Sequence, residues 1–274
     1  MRNLILLFMT LFISSINLQA QSKEASLTAI QPYESFVFLE KDTVGMENRR
    51  LLTTINLKST NYDVLLKKAE KEARRLGGNC LLITSHKAPN PWATRHRIKA
   101  KVFRIDNPES FEKEIPWHPS RPLKVCNFRG DRADNPLPSA STTAIDINIF
   151  SDPESGKTKA IIEARFKNEK SFFTPSAGSD DRLAIEQLVF DLTEVYARKL
   201  RKIIVEEVSS SDELIEIWQS KAGALLPEWY GKRNEFLEEV AENSDAQEQW
   251  REWVNGELDS LQAYNQTEFL LALR

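Results

Sequence analysis

The apolar residues of this chain settle into one period near Ser179, and that change constrains the fold more than any other feature. Up to about residue 166 they form mostly short, strand-like runs interrupted by one helical stretch; from about Ser179 they recur at helical spacing through residues 180–207, 212–222, 227–242 and 245–264. Strands gathered ahead of helices specify an α+β class. A small α/β unit opens the chain: residues 35–40 read as a strand and 62–76 as a helix. Ser59, Thr60 or Asn61 can cap that helix, Leu65, Ala69, Ala73 and Leu76 share one face, and Gly77-Gly78 supplies the left-handed stop. Strands follow at 79–85 and 95–105. Further on, 123–128, 140–150 and 158–166 read as strands, the last two joined as a hairpin through Asp152-Pro153 and Gly156. Ile145, Ile147 and Ile149 alternate with Ala144, Asp146 and Asn148, which predicts one buried sheet face. With 274 residues, 41% hydrophobic and 28% charged, the chain can build real cores, which excludes disordered, collagen-like and disulfide-scaffold classes.

Residues 1–20 have the build of a secretory signal peptide. Met1-Arg2-Asn3 is a short positive start, 4–13 an apolar stretch, and Leu18-Gln19-Ala20 a small-residue cleavage site. The apolar stretch is too short for an ordinary spanning helix. The expectation is a protein in the periplasm or secreted, without a transmembrane segment; retention as an uncleaved anchor is the alternative. Three regions then follow: a small basic α/β domain at 22–106, a linker at 107–120 marked by Pro108, Pro116 and Pro119, and a domain at 121–274. Export makes a Cys80–Cys126 disulfide chemically accessible. Against it, the two cysteines fall in different domains, and Cys80 lies in the apolar run Cys80-Leu81-Leu82-Ile83, the setting of a buried thiol.

The formal net charge of −3 conceals a division. Residues 22–106 carry 16 Lys and Arg against 9 Asp and Glu, 107–204 carry 15 of each, and 205–274 carry 5 against 16. In the basic segment Arg95, Arg97, Lys99 and Lys101 alternate with His96, Ile98, Ala100 and Val102, so four cations share one strand face. That stripe is either an anion-binding face for phospholipid headgroups, polysaccharide or an acidic partner, or a solvated strand that resists edge pairing; the second reading is the simpler. Nucleic acid is not expected, because the chain is read as exported and the strand has no interleaved aromatics. Trp218, Trp229, Trp250 and Trp253 stand among the acidic helices, where tryptophans mostly anchor core packing. The basic and acidic regions can also attract each other, within one molecule or head-to-tail between molecules.

The first long helical stretch reads Leu183-Ala184-Ile185-Glu186-Gln187-Leu188-Val189-Phe190-Asp191-Leu192-Thr193-Glu194-Val195-Tyr196-Ala197-Arg198-Lys199-Leu200. Here the chain resembles a family of predicted secreted bacterial zinc metalloproteases, in which this helix reads HEQxHFD and continues into a YARKL-like stretch. Trp117 with Arg121-Pro122-Leu123, then Phe128-Arg129-Gly130, resemble that family's opening pattern. Lys170-Ser171-Phe172-Phe173 resembles its element before the helix, and Gln249-Trp250 with Leu258 its terminal helix. The resemblance covers about residues 117–264 and implies a zincin-like domain.

In an HExxH helix the two histidines at i and i+4 lie on one face and bind zinc, while the intervening Glu is the general base. Zinc lowers the pKa of its bound water from about 15.7 to about 7, which a carboxylate alone cannot do. In this chain the two ligand positions hold Ile185 and Val189, and of the zinc-binding motif only Glu186 persists. The three histidines, His86, His96 and His118, all precede residue 120. Where the resemblance implies a further ligand near the terminal helix, the sequence reads Ala241-Glu242-Asn243-Ser244. Ile185 and Val189 instead extend an apolar stripe with Leu192 and Tyr196. Glu186 reads as a solvated or salt-bridged helix residue, and Asp191, Glu194, Tyr196 and Arg198 as architectural contacts. Cys80, His86 and His96 match no established ligand spacing.

The resulting expectation is an exported, non-catalytic pseudo-metalloprotease that binds a protein or envelope component and uses no zinc or other cofactor. The alternatives are a secreted metal-dependent peptidase with a rearranged site around Glu186, and a structural or assembly protein.

Overall fold

A computed structural model describes residues 27–39, 48–90, 93–132, 135–152, 157–176, 178–208, 210–243 and 245–272. The expected leader at 1–20 and the expected hairpin turn at 153–156 lie outside the described residues. The chain is α+β. Its N-terminal sheet contains β1 (Val37–Leu39), β2 (Arg50–Ser59), β3 (Cys80–Lys87) and β4 (His96–Arg104), in the order β1-β3-β4-β2. β1 runs parallel to β3, and the remaining neighbours are antiparallel. Helix α1 (Tyr62–Arg75) crosses one face of this sheet because Leu65, Ala69 and Ala73, at four-residue spacing, are fully buried against Phe36, Leu81, Ala100 and Val102. Asn61 is the cap: its Oδ1 accepts from the Val64 backbone N–H at 3.0 Å. Gly77, at φ +79°, ends the helix, and the Gly78 N–H closes on Ala73 O at 2.8 Å. Val37, Leu39, Cys80, Leu82 and Phe103 pack with Phe111 over one half of the opposite face.

The second sheet is built on a long hairpin. It comprises β5 (Glu114–Pro116), β7 (Thr143–Asp152), β8 (Lys157–Lys167) and β10 (Glu268–Ala272), while β6 (Ser139–Ala140) and β9 (Phe172–Phe173) pair as a separate ribbon. β7 pairs antiparallel with β8 from Thr143↔Phe166 to Asp152↔Lys157. β5 and β10 occupy the other edge of β8, at opposite ends. Helix α2 (Ser179–Glu207) packs across β7 and β8, and α3 (Ser211–Glu242) and α4 (Ala246–Ser260) pack on α2. Phe166, Phe190, Val195, Tyr196 and Phe236, none more than 1% exposed, make the centre of this core. Truncating either Phe166 or Phe190 to alanine costs about 3–5 kcal/mol.

Several expectations change on folding. Residues 123–128 form a short 3-10 turn, Val125–Asn127, instead of a strand. Side chains take the donors a strand would need: Leu123 N–H donates to Gln187 Oε1 and Lys124 N–H to Asn127 Oδ1, both at 2.7 Å. The 107–120 segment is no free linker, since β5 joins the second sheet and Trp117 N–H donates to Ala164 O at 2.9 Å. Pro116 is tolerated there because β5 is an edge strand. Residues 212–222 and 227–242 are one helix with Pro227 inside it. The ring removes one backbone bond, and burial of Ala222, Leu225 and Trp229 carries the helix through. The C-terminal segment is not wholly helical, since β10 follows α4, and β2 adds a strand that the sequence reading leaves out.

Candidate functional site

The motif positions lie on the half of α2 that faces the core. Val189 is 1% exposed and Ile185 is half-buried against the same cluster, with Leu192 and Tyr196 further along the helix. Glu186 is only 6% exposed, and it makes no hydrogen bond or ion pair among the described residues. The salt-bridged reading therefore does not hold: the Glu186 stem shares its helix face with fully buried Phe190 and Thr193, while its carboxylate oxygens are not among the fully buried unpaired atoms and keep contact with solvent. Zinc, which the family resemblance implies, does not fit this arrangement. Isoleucine and valine offer no donor atom at the two ligand positions. Among the described residues no group of three or more His, Cys, Asp or Glu side chains is placed to hold a metal ion.

The polar residues of the motif form a framework around that apolar stripe. Asp191 Oδ1 accepts from Trp117 Nε1 at 2.7 Å and from Gln187 Nε2 at 2.8 Å, which ties the Trp117–Leu123 segment to the helix. Burial raises the Asp191 carboxyl above its ordinary value, and these two hydrogen bonds only partly offset it. Glu194 bridges two arginines: Arg201 donates to both its oxygens at 2.8 and 3.0 Å, and Arg198 Nε donates at 2.9 Å. Arg201, fully buried, also donates to Ile162 O and Tyr264 O, and Arg198 to Leu258 O. The guanidiniums thus join α2 to β8 and to the end of α4. Tyr196 O–H donates to Glu228 Oε1 at 3.0 Å, and burial pushes the phenol well above its ordinary value. Each of these groups has an internal structural partner.

The histidines lie elsewhere. His86 Nε2 and His96 Nδ1 are 3.0 Å apart, with Tyr62 stacked on His86. Cys80 does not join them: it is fully buried on the other face of the sheet, and burial pushes its thiol up to about 12. Cys126 is exposed, and both thiols are free, so the disulfide is not formed. His118 stacks on Tyr33 at 4.7 Å, and burial lowers its pKa. The two sit in a cleft of about 620 Å³ between α1 and the second sheet, with Trp117, Lys67, Lys71 and Arg74 also on its walls. Buried Glu112 joins the two sheets, accepting from Phe36 N–H at 2.9 Å and pairing with Arg121, which also donates to Ser35 Oγ at 2.9 Å. No sequence signal marks these inter-sheet residues, because their partners are 76 and 86 positions away.

The basic stripe lies on the face of β4 opposite α1. Arg97, Lys99 and Lys101 are exposed, whereas Arg95 precedes the strand and is half-buried. The edge-protection reading does not hold, because β4 is an interior strand between β3 and β2. Trp229 and Trp250 are buried in the second core, and the Trp218 side chain lies outside the described residues. No helix among the described residues is long and apolar enough to cross a membrane. Set against known proteins, the sequence matches no family model, no curated protein and no solved structure.

Proposed function

We propose that this chain is an exported binding protein on a zincin-like scaffold, with apolar packing in place of the metal site. The observation that carries this reading is the burial of Val189 at 1% exposure, with Ile185 one turn away packed against the same core. Those are the two positions where the resemblance implies imidazoles, and the stripe they extend stabilises the helix against its core. The framework of Asp191, Glu194 and Arg198 around them supports retention of the architecture after loss of the chemistry. The partner is a protein or an envelope component, and the protein acts in the periplasm or outside the cell without zinc.

Peptidase assays with and without chelator, paired with metal analysis of the purified protein, test this proposal. The expected result is no chelator-sensitive hydrolysis and zinc well below one per chain. One tightly held zinc, removed together with peptidase activity, overturns it in favour of a rearranged site around Glu186. The Ile185→His/Val189→His double variant then asks whether the scaffold still accommodates the metal.

A further inference from the structure

Register places more charge beside the β4 stripe than one strand carries. Arg97 stands opposite Lys58 on β2 and opposite Lys87 on β3, so three cations form one row across the sheet. Lys99 lies between Asn56 and Ser85, and Lys101 is opposite Thr54. Lys58, Lys87, Arg97, Lys99 and Lys101 are all exposed, and none forms an ion pair among the described residues. No carboxylate occupies the rows they share.

Like charges directly opposite each other destabilise a sheet, so this row works against folding. Three strands at about 4.8 Å and five residues of β4 at about 3.3 Å give an array of about 10 by 13 Å. Cavities of about 710, 410, 480 and 620 Å³ occur elsewhere on the molecule, and none is lined by any of the five cations. None of these four cavities therefore provides a concave subsite for the array.

We infer that this face docks on an anionic lipid bilayer surface, with the five cations over its phosphate groups. The inference rests on the envelope-binding reading above. An array of phosphates spread over a surface engages all five cations at once, whereas a single phosphate reaches only neighbouring pairs in an array of about 10 by 13 Å. The attraction decays within about 8–10 Å at ordinary salt, so the array acts as a unit when the sheet face lies parallel to the membrane. Helix α1 and its Lys67–Glu163 bridge to the second sheet lie on the opposite face, which is compatible with that orientation.

Co-sedimentation of the full chain with phosphatidylcholine vesicles, with and without phosphatidylglycerol, tests the inference. Leader residues are the same in wild type and variants, so their contribution cancels. The expected result is binding that requires phosphatidylglycerol and falls with salt. Each cation near an anionic surface is worth roughly fivefold in partitioning, so Arg97→Gln/Lys99→Gln/Lys101→Gln loses about 100-fold and Lys58→Gln/Lys87→Gln about 30-fold. Unchanged circular dichroism in both variants confirms that the fold survives. Equal binding without phosphatidylglycerol, or unchanged binding by both variants, overturns the inference. Tight binding to soluble polyphosphate with no vesicle binding also overturns it, in favour of a polyanionic chain. Cell fractionation separates the two levels of argument. Envelope retention that both variants keep in full overturns the basic-face inference alone, whereas recovery in the cytosol with the leader intact overturns the envelope reading.

Discussion

Replacing Glu194 by Gln keeps the side chain's size and removes the charge that two buried guanidiniums share. The Glu194 side chain is 3% exposed, Arg201 0% and Arg198 5%, so bulk water replaces little of what is lost. Breaking a buried ion pair by removing one partner costs about 3–5 kcal/mol. Here the arginines keep three backbone acceptors, Ile162 O, Tyr264 O and Leu258 O, which places the expected cost near the lower end, about 3 kcal/mol. That is a large share of the usual 5–15 kcal/mol of total stability. In a protein of this size it lowers the melting temperature by about 6–12 °C. Urea unfolding followed by far-ultraviolet circular dichroism measures it directly: the midpoint falls while the slope m is unchanged. Glu194→Asp, which keeps the charge, should lose less. A loss below about 1 kcal/mol for Glu194→Gln at unchanged m refutes the reasoning, because the arginines would then be satisfied without a carboxylate.

Three further outcomes follow from the same geometry. Burial opposes ionisation of Glu163, but Arg165 and Lys67 outweigh it and hold the carboxyl below its ordinary value of 4.5. Its stabilisation is therefore present above the unfolded value and lost as pH falls through the lower folded value. The stability difference between wild type and Glu163→Gln should be greatest near neutrality and shrink below about pH 4.5; growth of that difference on acidification contradicts the assignment. A thiol reagent should titrate one cysteine, Cys126, in the folded protein and two in denaturant, because Cys80 is fully buried with its thiol pushed up to about 12; two fast-reacting thiols in the native state would contradict its burial. Gly130→Ala places a Cβ 2.9 Å from Ser171 O and 3.0 Å from Glu169 O, both backbone atoms, so thermal unfolding should register a loss of about 1–3 kcal/mol.

Local patterns were legible wherever one element carried the whole signal. The α1 stripe of Leu65, Ala69 and Ala73 and the Asn61 cap depend on spacing within a few residues, and the β7–β8 pair depends on alternation around one turn. Elements whose partners are distant were not legible. β10 forms only because β8, more than a hundred residues earlier, offers an edge, and 123–128 gives up its strand because Gln187 reaches its backbone. At the motif, the replacement of both ligand residues could be read letter by letter, but the burial of the Glu186 stem could not, because burial depends on what packs against α2.

Sequence alone determined the α+β class, the division into basic and acidic regions, and the absence of donor atoms at positions 185 and 189, because composition and helical periodicity are properties of neighbouring residues. Only the tertiary structure decided that Glu194, Arg198 and Arg201 form a buried charge network and that Lys58 and Lys87 join the β4 cations in one field. Burial and strand register are properties of chain segments brought together by folding, and no local pattern encodes them.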